Sequence, residues 1–188
     1  MNFLKKPFVA VLLSALIICS STLLSADIKL GKECQNITDG FYEGVVYENY
    51  QHKSIASQIR NICGAADGMV TIANNYDIDA DAVRAATDEM KSALSFGSVS
   101  YLYGLYENLL TALNPLEDQL SRAELSDRDA EGFAQYSSTI TGAQSVINSS
   151  GYNESVRAFY RDEMHFPADF LAELVGWTFR SFLSKINL

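Results

Sequence analysis

Three aspartates at alternate positions, Asp77, Asp79 and Asp81, form the run in this chain that most invites chemistry. Side-chain oxygens at every second position open the calcium loop of an EF-hand. The run departs from that loop at two places. Ala82 stands where the sharp bend requires Gly, and Asp88 stands at the twelfth position instead of a bidentate Glu. The same residues suit a helix start, where one carboxylate accepts a free N–H and the others favour the positive end of the dipole. Capping by Asp77 or Asp79 is therefore the expectation, and no metal is expected.

Cysteine and histidine are scarce. Cys19, Cys34 and Cys63 are the three thiols, and His52 and His165 the two imidazoles. Neither histidine has a Cys or His partner at ligand spacing, which argues against zinc. No Gly-x-Ser-x-Gly turn is present, and Glu163 to His165 lacks the Glu-x-x-His spacing of a metal-binding bundle. These absences point to a protein without a catalytic centre and without a cofactor. Cys34 and Cys63 would pair only if the chain folded back between them. As one continuous helix they would stand ~40 Å apart, so a free thiol at Cys34 and a small buried hydrophobe at Cys63 is the favoured alternative.

Charge narrows the partners. Fourteen basic residues oppose 23 acidic ones, a formal net charge of −9. Nucleic-acid binding depends on Lys and Arg neutralising phosphates, and a field of this sign repels them.

The elements that position these residues begin with a leader. Lys5 and Lys6 precede a stretch from Pro7 to Ala26 without a charged residue. A basic start followed by an apolar run is an export signal. Two outcomes stay open for residues 1–26: cleavage after Leu24-Ser25-Ala26, or retention as an anchor, since ~20 apolar residues span a bilayer. Lipidation at Cys19 is disfavoured, because Ile17-Ile18 leaves no small residue just before it. The lysines favour a cytoplasmic N-terminus. The rest of the chain, residues 27–188, is then expected outside the cytoplasm, on a single-pass inner-membrane anchor or free in the periplasm.

Past the leader, apolar residues recur at three and four, so the fold class expected is all-α, an antiparallel four- or five-helix bundle. A first helix is expected over residues 36–63, with a break at Gly64 to Gly68. The next begins at Met69, is interrupted near Tyr76-Asp77 and resumes through Val83 and Met90 to a turn at Ser95 to Gly97. A leucine stripe from Tyr101 to Leu113 should end at Asn114-Pro115, with a short apolar turn following. Ser126 should open a long helix reaching Pro167. No alternating run suggests a sheet.

The last third carries a resemblance. Tyr152-Asn153-Glu154-Ser155-Val156-Arg157-Ala158-Phe159-Tyr160 is followed by Phe166-Pro167-Ala168, then Ala172 and Gly176. This resembles the signature ending of the LemA family, a Tyr-Asn-x-x-Val-Arg-x-Tyr run leading into Phe-Pro-Ala, an Ala and a Gly; Phe159 stands where that run has its second Tyr. Val70 to Ala93 resembles the family's second helix, through Tyr76 and Val83-Arg84-Ala85-Ala86, and Leu105 to Leu120 its Leu-rich helix. The basic pair and Pro usual before the second helix are absent. The resemblance implies an N-terminal membrane segment and a helical bundle, and it brings no assigned activity. Tyr152, Val156, Phe159 and Tyr160 lie at helical spacing and are expected in the core, with Arg157 paired to Glu154.

The C-terminal stretch from Pro167 to Ile186 reads as one more amphipathic helix. Leu171, Leu174, Val175, Phe182 and Ile186 form its stripe, and Phe170, Trp177 and Phe179 widen it. It would either cover one end of the bundle or rest on a bilayer, with Trp177, Phe179, Phe182, Arg180 and Lys185 at the interface. The function expected is a membrane-tethered or periplasmic interaction module with a protein partner in the cell envelope. A lipid-surface protein is the alternative, and a metal-binding bundle or enzyme comes after both.

Overall fold

A computed structural model describes residues 31–33, 35–44, 46–47, 50–51, 53–95 and 97–162. The leader, Cys34, both histidines and everything from residue 163 onward lie outside these, as do Phe166, Pro167, Ala168, Gly176 and the candidate interfacial residues from Trp177 to Lys185. The described chain is a helical bundle. Residues 35–43 are helical (α1), followed by α2 (Ile55–Asn75), α3 (Asp81–Ala93), α4 (Val99–Arg122), α5 (Asp127–Asn148) and α6 (Gly151–Asp162). Among the described residues no helix is long and apolar enough to cross a membrane.

The helix expected over residues 36–63 is two helices. Gly44 takes φ 93°, a left-handed value that suits glycine, and its N–H caps the carbonyl of Gly40, ending α1. A two-residue antiparallel pairing follows, with Val46 opposite Gln51 and Tyr47 opposite Tyr50. Ser54 then accepts the N–H of Ser57 and starts α2.

No break occurs at Gly64 to Gly68, because Ala65, Ala66, Met69 and Val70 are all buried on a helix that runs through. Gly68 serves packing instead. A Cβ there would fall 2.3 Å from the ring of Tyr136 on α5, so only glycine lets that ring lie on the helix backbone.

Proline also fails to stop α4. Leu109, Leu113, Leu116 and Leu120 continue one buried stripe across Pro115, which sits on the exposed side. Burying two further leucines contributes ~1.5–3 kcal/mol each, enough to offset the ~3 kcal/mol of a proline inside a helix. The long helix expected from Ser126 divides too: Ser126 caps α5 as anticipated, but Ser149 and Ser150 separate it from α6.

Pairings along the helices give their directions. Asp67 pairs with Lys91 between α2 and α3, and Glu89 accepts from Tyr101 between α3 and α4. Gly132 meets Ile72 while Tyr136 meets Gly68 between α5 and α2. With Arg84 reaching Asn74 as well, residue numbers rise on α2 as they fall on α3 and on α5, so α2 is antiparallel to both. Helix α2 is central: α3 and α5 pack along it, and α4 packs mainly on α3. Ile59, Ile62, Met69, Met90, Leu102 and Leu109 are fully buried between them. The backbones of α4 and α5 stand apart.

The two ends are closed differently. At one, Phe41 of α1 packs edge-to-face on Tyr152 of α6, centroids 5.6 Å apart, and the Tyr42 hydroxyl donates to the Gly97 carbonyl at 3.3 Å. At the other, Tyr76 at the end of α2 clasps the start of α5. Its hydroxyl accepts the Ser126 N–H at 2.7 Å and donates to Asp129 at 2.8 Å.

Candidate functional site

The signature residues within the described chain are packing and capping groups. Tyr152, Asn153, Val156 and Phe159 are buried. Asn153 donates through Nδ2 to the Ile147 carbonyl at 2.7 Å, and Ser150 Oγ accepts the Tyr152 N–H at 3.2 Å. These bonds close the end of α5 and aim α6 back at α1. Arg157 reaches Glu154 at 3.5 Å on the surface, a pair worth little when both side chains are over half exposed. Tyr160 lies in the last turns of α6.

The aspartate turn leads into α3, whose N-cap is Ala80 without a side-chain cap bond, while Asp79 just before it takes a free N–H. Asp79 Oδ1 accepts the Asp81 N–H at 3.0 Å, Asp81 pairs with Arg84 at 2.9 Å, and Arg84 also reaches Asn74. Asp77 adopts φ 54°, a left-handed turn that Asp tolerates. Two of its three carboxylates are thus committed to N–H and guanidinium donors. No three Asp, Glu, His or Cys side chains among the described residues are placed to share a metal. Cys63 is a free thiol, buried at 1% exposure, and burial pushes its pKa up to about 11, so it is no thiolate nucleophile at neutral pH.

What remains is the face that α4 and α5 leave between them. Asn114, Pro115, Glu117, Asp118 and Ser121 form one wall, and Phe133 and Ser137 the other, around a cleft of about 590 Å³. The Ser137 hydroxyl donates to the Glu117 carboxylate across it, while partial burial holds that carboxyl above its ordinary pKa. Phe133 is half-buried and packs against the edge of the core. Pro115 lacks an N–H and so cannot donate to the Thr111 carbonyl one turn earlier. Tyr101 is the one large exposed hydrophobic side chain among the described residues, and its hydroxyl is engaged by Glu89.

Sequence reasoning passed over this cleft. Its one local signal was Pro115 within a leucine stripe, which reads as a helix stop. The rest depends on how far apart two helices stand. No known protein family, curated protein or solved structure matches this chain.

Proposed function

We propose that this chain is a membrane-tethered, LemA-like helical bundle that works as an interaction module in the cell envelope. The observation that carries the module reading is the open face between α4 and α5, an acidic cleft with a half-buried aromatic edge. The tether rests on residues 1–26, with Lys5 and Lys6 before an uncharged run. That arrangement favours a single-pass inner-membrane position with the bundle outside the cytoplasm, or a periplasmic protein if the leader is cleaved. The resemblance around Tyr152 to Tyr160 supports the same class of protein.

Fractionated cells should place the chain in membranes or the periplasm, and a tagged full chain should copurify a protein partner from solubilised membranes. Recovery of the chain alone, free in the cytosol, overturns the reading. A second reading, contact with lipid through Trp177, Phe179, Arg180, Phe182 and Lys185, draws on the ring and two cations in one amphipathic stretch. The emission of Trp177, the only tryptophan, should shift to the blue with anionic vesicles under that reading and stay unmoved otherwise.

A further inference from the structure

We propose that the cleft between α4 and α5 seats a cationic amphipathic helix belonging to a partner protein. Three features of the cleft converge on that occupant. Its walls are two helices that each pack mainly on other helices and have few close backbone approaches to one another, and the Ser137–Glu117 hydrogen bond bridges them, which leaves a groove over that bridge for a third helix. Its edge is apolar at Phe133 and Pro115, so one face of the incoming helix can be buried. Its polar lining contains two carboxylates, Asp118, which Arg122 already pairs at 2.7 Å, and Glu117, which no cation among the described residues faces, so an incoming helix that brings a cation meets Glu117.

The carboxylates are available at low cost. Asp118 is held by Arg122 at 2.7 Å, but both side chains are mostly exposed, and such a pair contributes little. Glu117 is held by a serine hydroxyl and sits partly desolvated without a cation beside it, so a lysine or arginine would restore what burial removes. Charge also selects among occupants. Anionic lipid and nucleic acid are repelled by the same carboxylates, and a second copy of a chain at −9 meets its own sign.

The inference rests on the module reading and is tested apart from it. The full chain, in nanodiscs of zwitterionic lipid, carries 4-fluorophenylalanine at position 133. The probe is a synthetic amphipathic helix of leucine and lysine, with a leucine–glutamate helix of the same apolar pattern as control. The lysine helix should give a saturable fluorine shift, weakened by salt. The double variant Glu117→Gln, Asp118→Asn should weaken it about tenfold. Asp88→Asn with Glu89→Gln, which removes the same charge from α3, should leave it unchanged.

Equal shifts from both peptides, no shift at all, or equal weakening by both double variants would overturn the assignment. So would a resonance that moves with protein concentration alone, which gives the cleft to a second copy. A resonance that moves on deleting residues 163–188 gives it to this chain's own tail and equally overturns a partner. Peptide binding without any copurified partner would leave this inference standing while rejecting the module reading, and a copurified partner without peptide binding would do the reverse.

Discussion

The two sides of α5 differ in what they are built to do. Towards α2 it presents Gly132, Tyr136 and the buried run Ile140, Ala143 and Ile147, and its start is clasped by Tyr76. Towards α4 it presents Phe133 and Ser137 across an open cleft. Phe133 and Tyr136 are three residues apart and both border the core, but Tyr136 lies on Gly68 of α2 while Phe133 also lines the cleft. A helix fixed so firmly on one side can leave the other unfilled without losing its place. The lesson is that a bundle can keep a groove by concentrating its packing on one seam.

The largest effect should come from cutting that seam. Ile140→Ala removes a buried side chain between α5 and α2, at 4% exposure, and should destabilise by ~2–5 kcal/mol in denaturant unfolding. Phe133→Ala, on the open side and half-buried, should cost well under half as much. Equal costs would mean that the two sides are not different in kind.

Next comes Gly68→Ala. The new methyl drives the Tyr136 ring off α2, and the loss should exceed the ~1 kcal/mol that alanine gains in helix propensity. Gly64→Ala, where the methyl meets open space, should instead stabilise by ~0.5–1 kcal/mol. Pairing Gly68→Ala with Tyr136→Ala should show strong non-additivity in a double-mutant cycle.

A smaller effect belongs to the clasp. Hydrogen bonds from Tyr76 and Ser126 hold the Asp129 carboxyl below its ordinary 3.8. A depressed folded pKa contributes stability that is fully present above the ordinary value and lost as pH falls through the folded one. Tyr76→Phe should therefore lower Tm by a few degrees at neutral pH, with the difference from the parent shrinking as pH drops below the ordinary value.

The smallest effect, and one of opposite sign, belongs to the cleft. Glu117 has a raised carboxyl pKa, so its folded form favours the proton and stability at this site grows as pH falls. Glu117→Gln keeps an acceptor for Ser137 and removes the desolvated charge. It should raise Tm slightly at neutral pH while weakening the cationic peptide, the pattern expected where a site holds a charge that function needs.

Much of this fold is readable in the residues. The apolar spacing marks α3, α4 and α5, Ser126 is legible as a cap, and Asp79 accepts a free N–H at the start of α3, although the N-cap position itself is Ala80. The errors share one physical cause. Gly68 and Pro115 have strong local preferences against helix, and in both cases distant partners decide: a tyrosine ring 68 residues on for Gly68, and a buried leucine stripe for Pro115. Gly44 goes the other way, ending a helix that the apolar spacing of Val45 and Val46 extends in the sequence. The break at Ser149–Ser150 is stabilised by Asn153, which local reading assigned to a signature and not to a cap. The cleft was not legible at all, because no local pattern records that α4 and α5 stand apart.

The most direct measurement places fluorine on both sides of α5 in the full chain, 4-fluorophenylalanine at 133 and 3-fluorotyrosine at 136, and titrates the leucine–lysine helix. The account predicts that the signal at 133 moves and saturates while the signal at 136, lying on Gly68, stays where it is. Movement at 136 alone, or at both positions together, would contradict it, because α5 would then have no closed side and no open one.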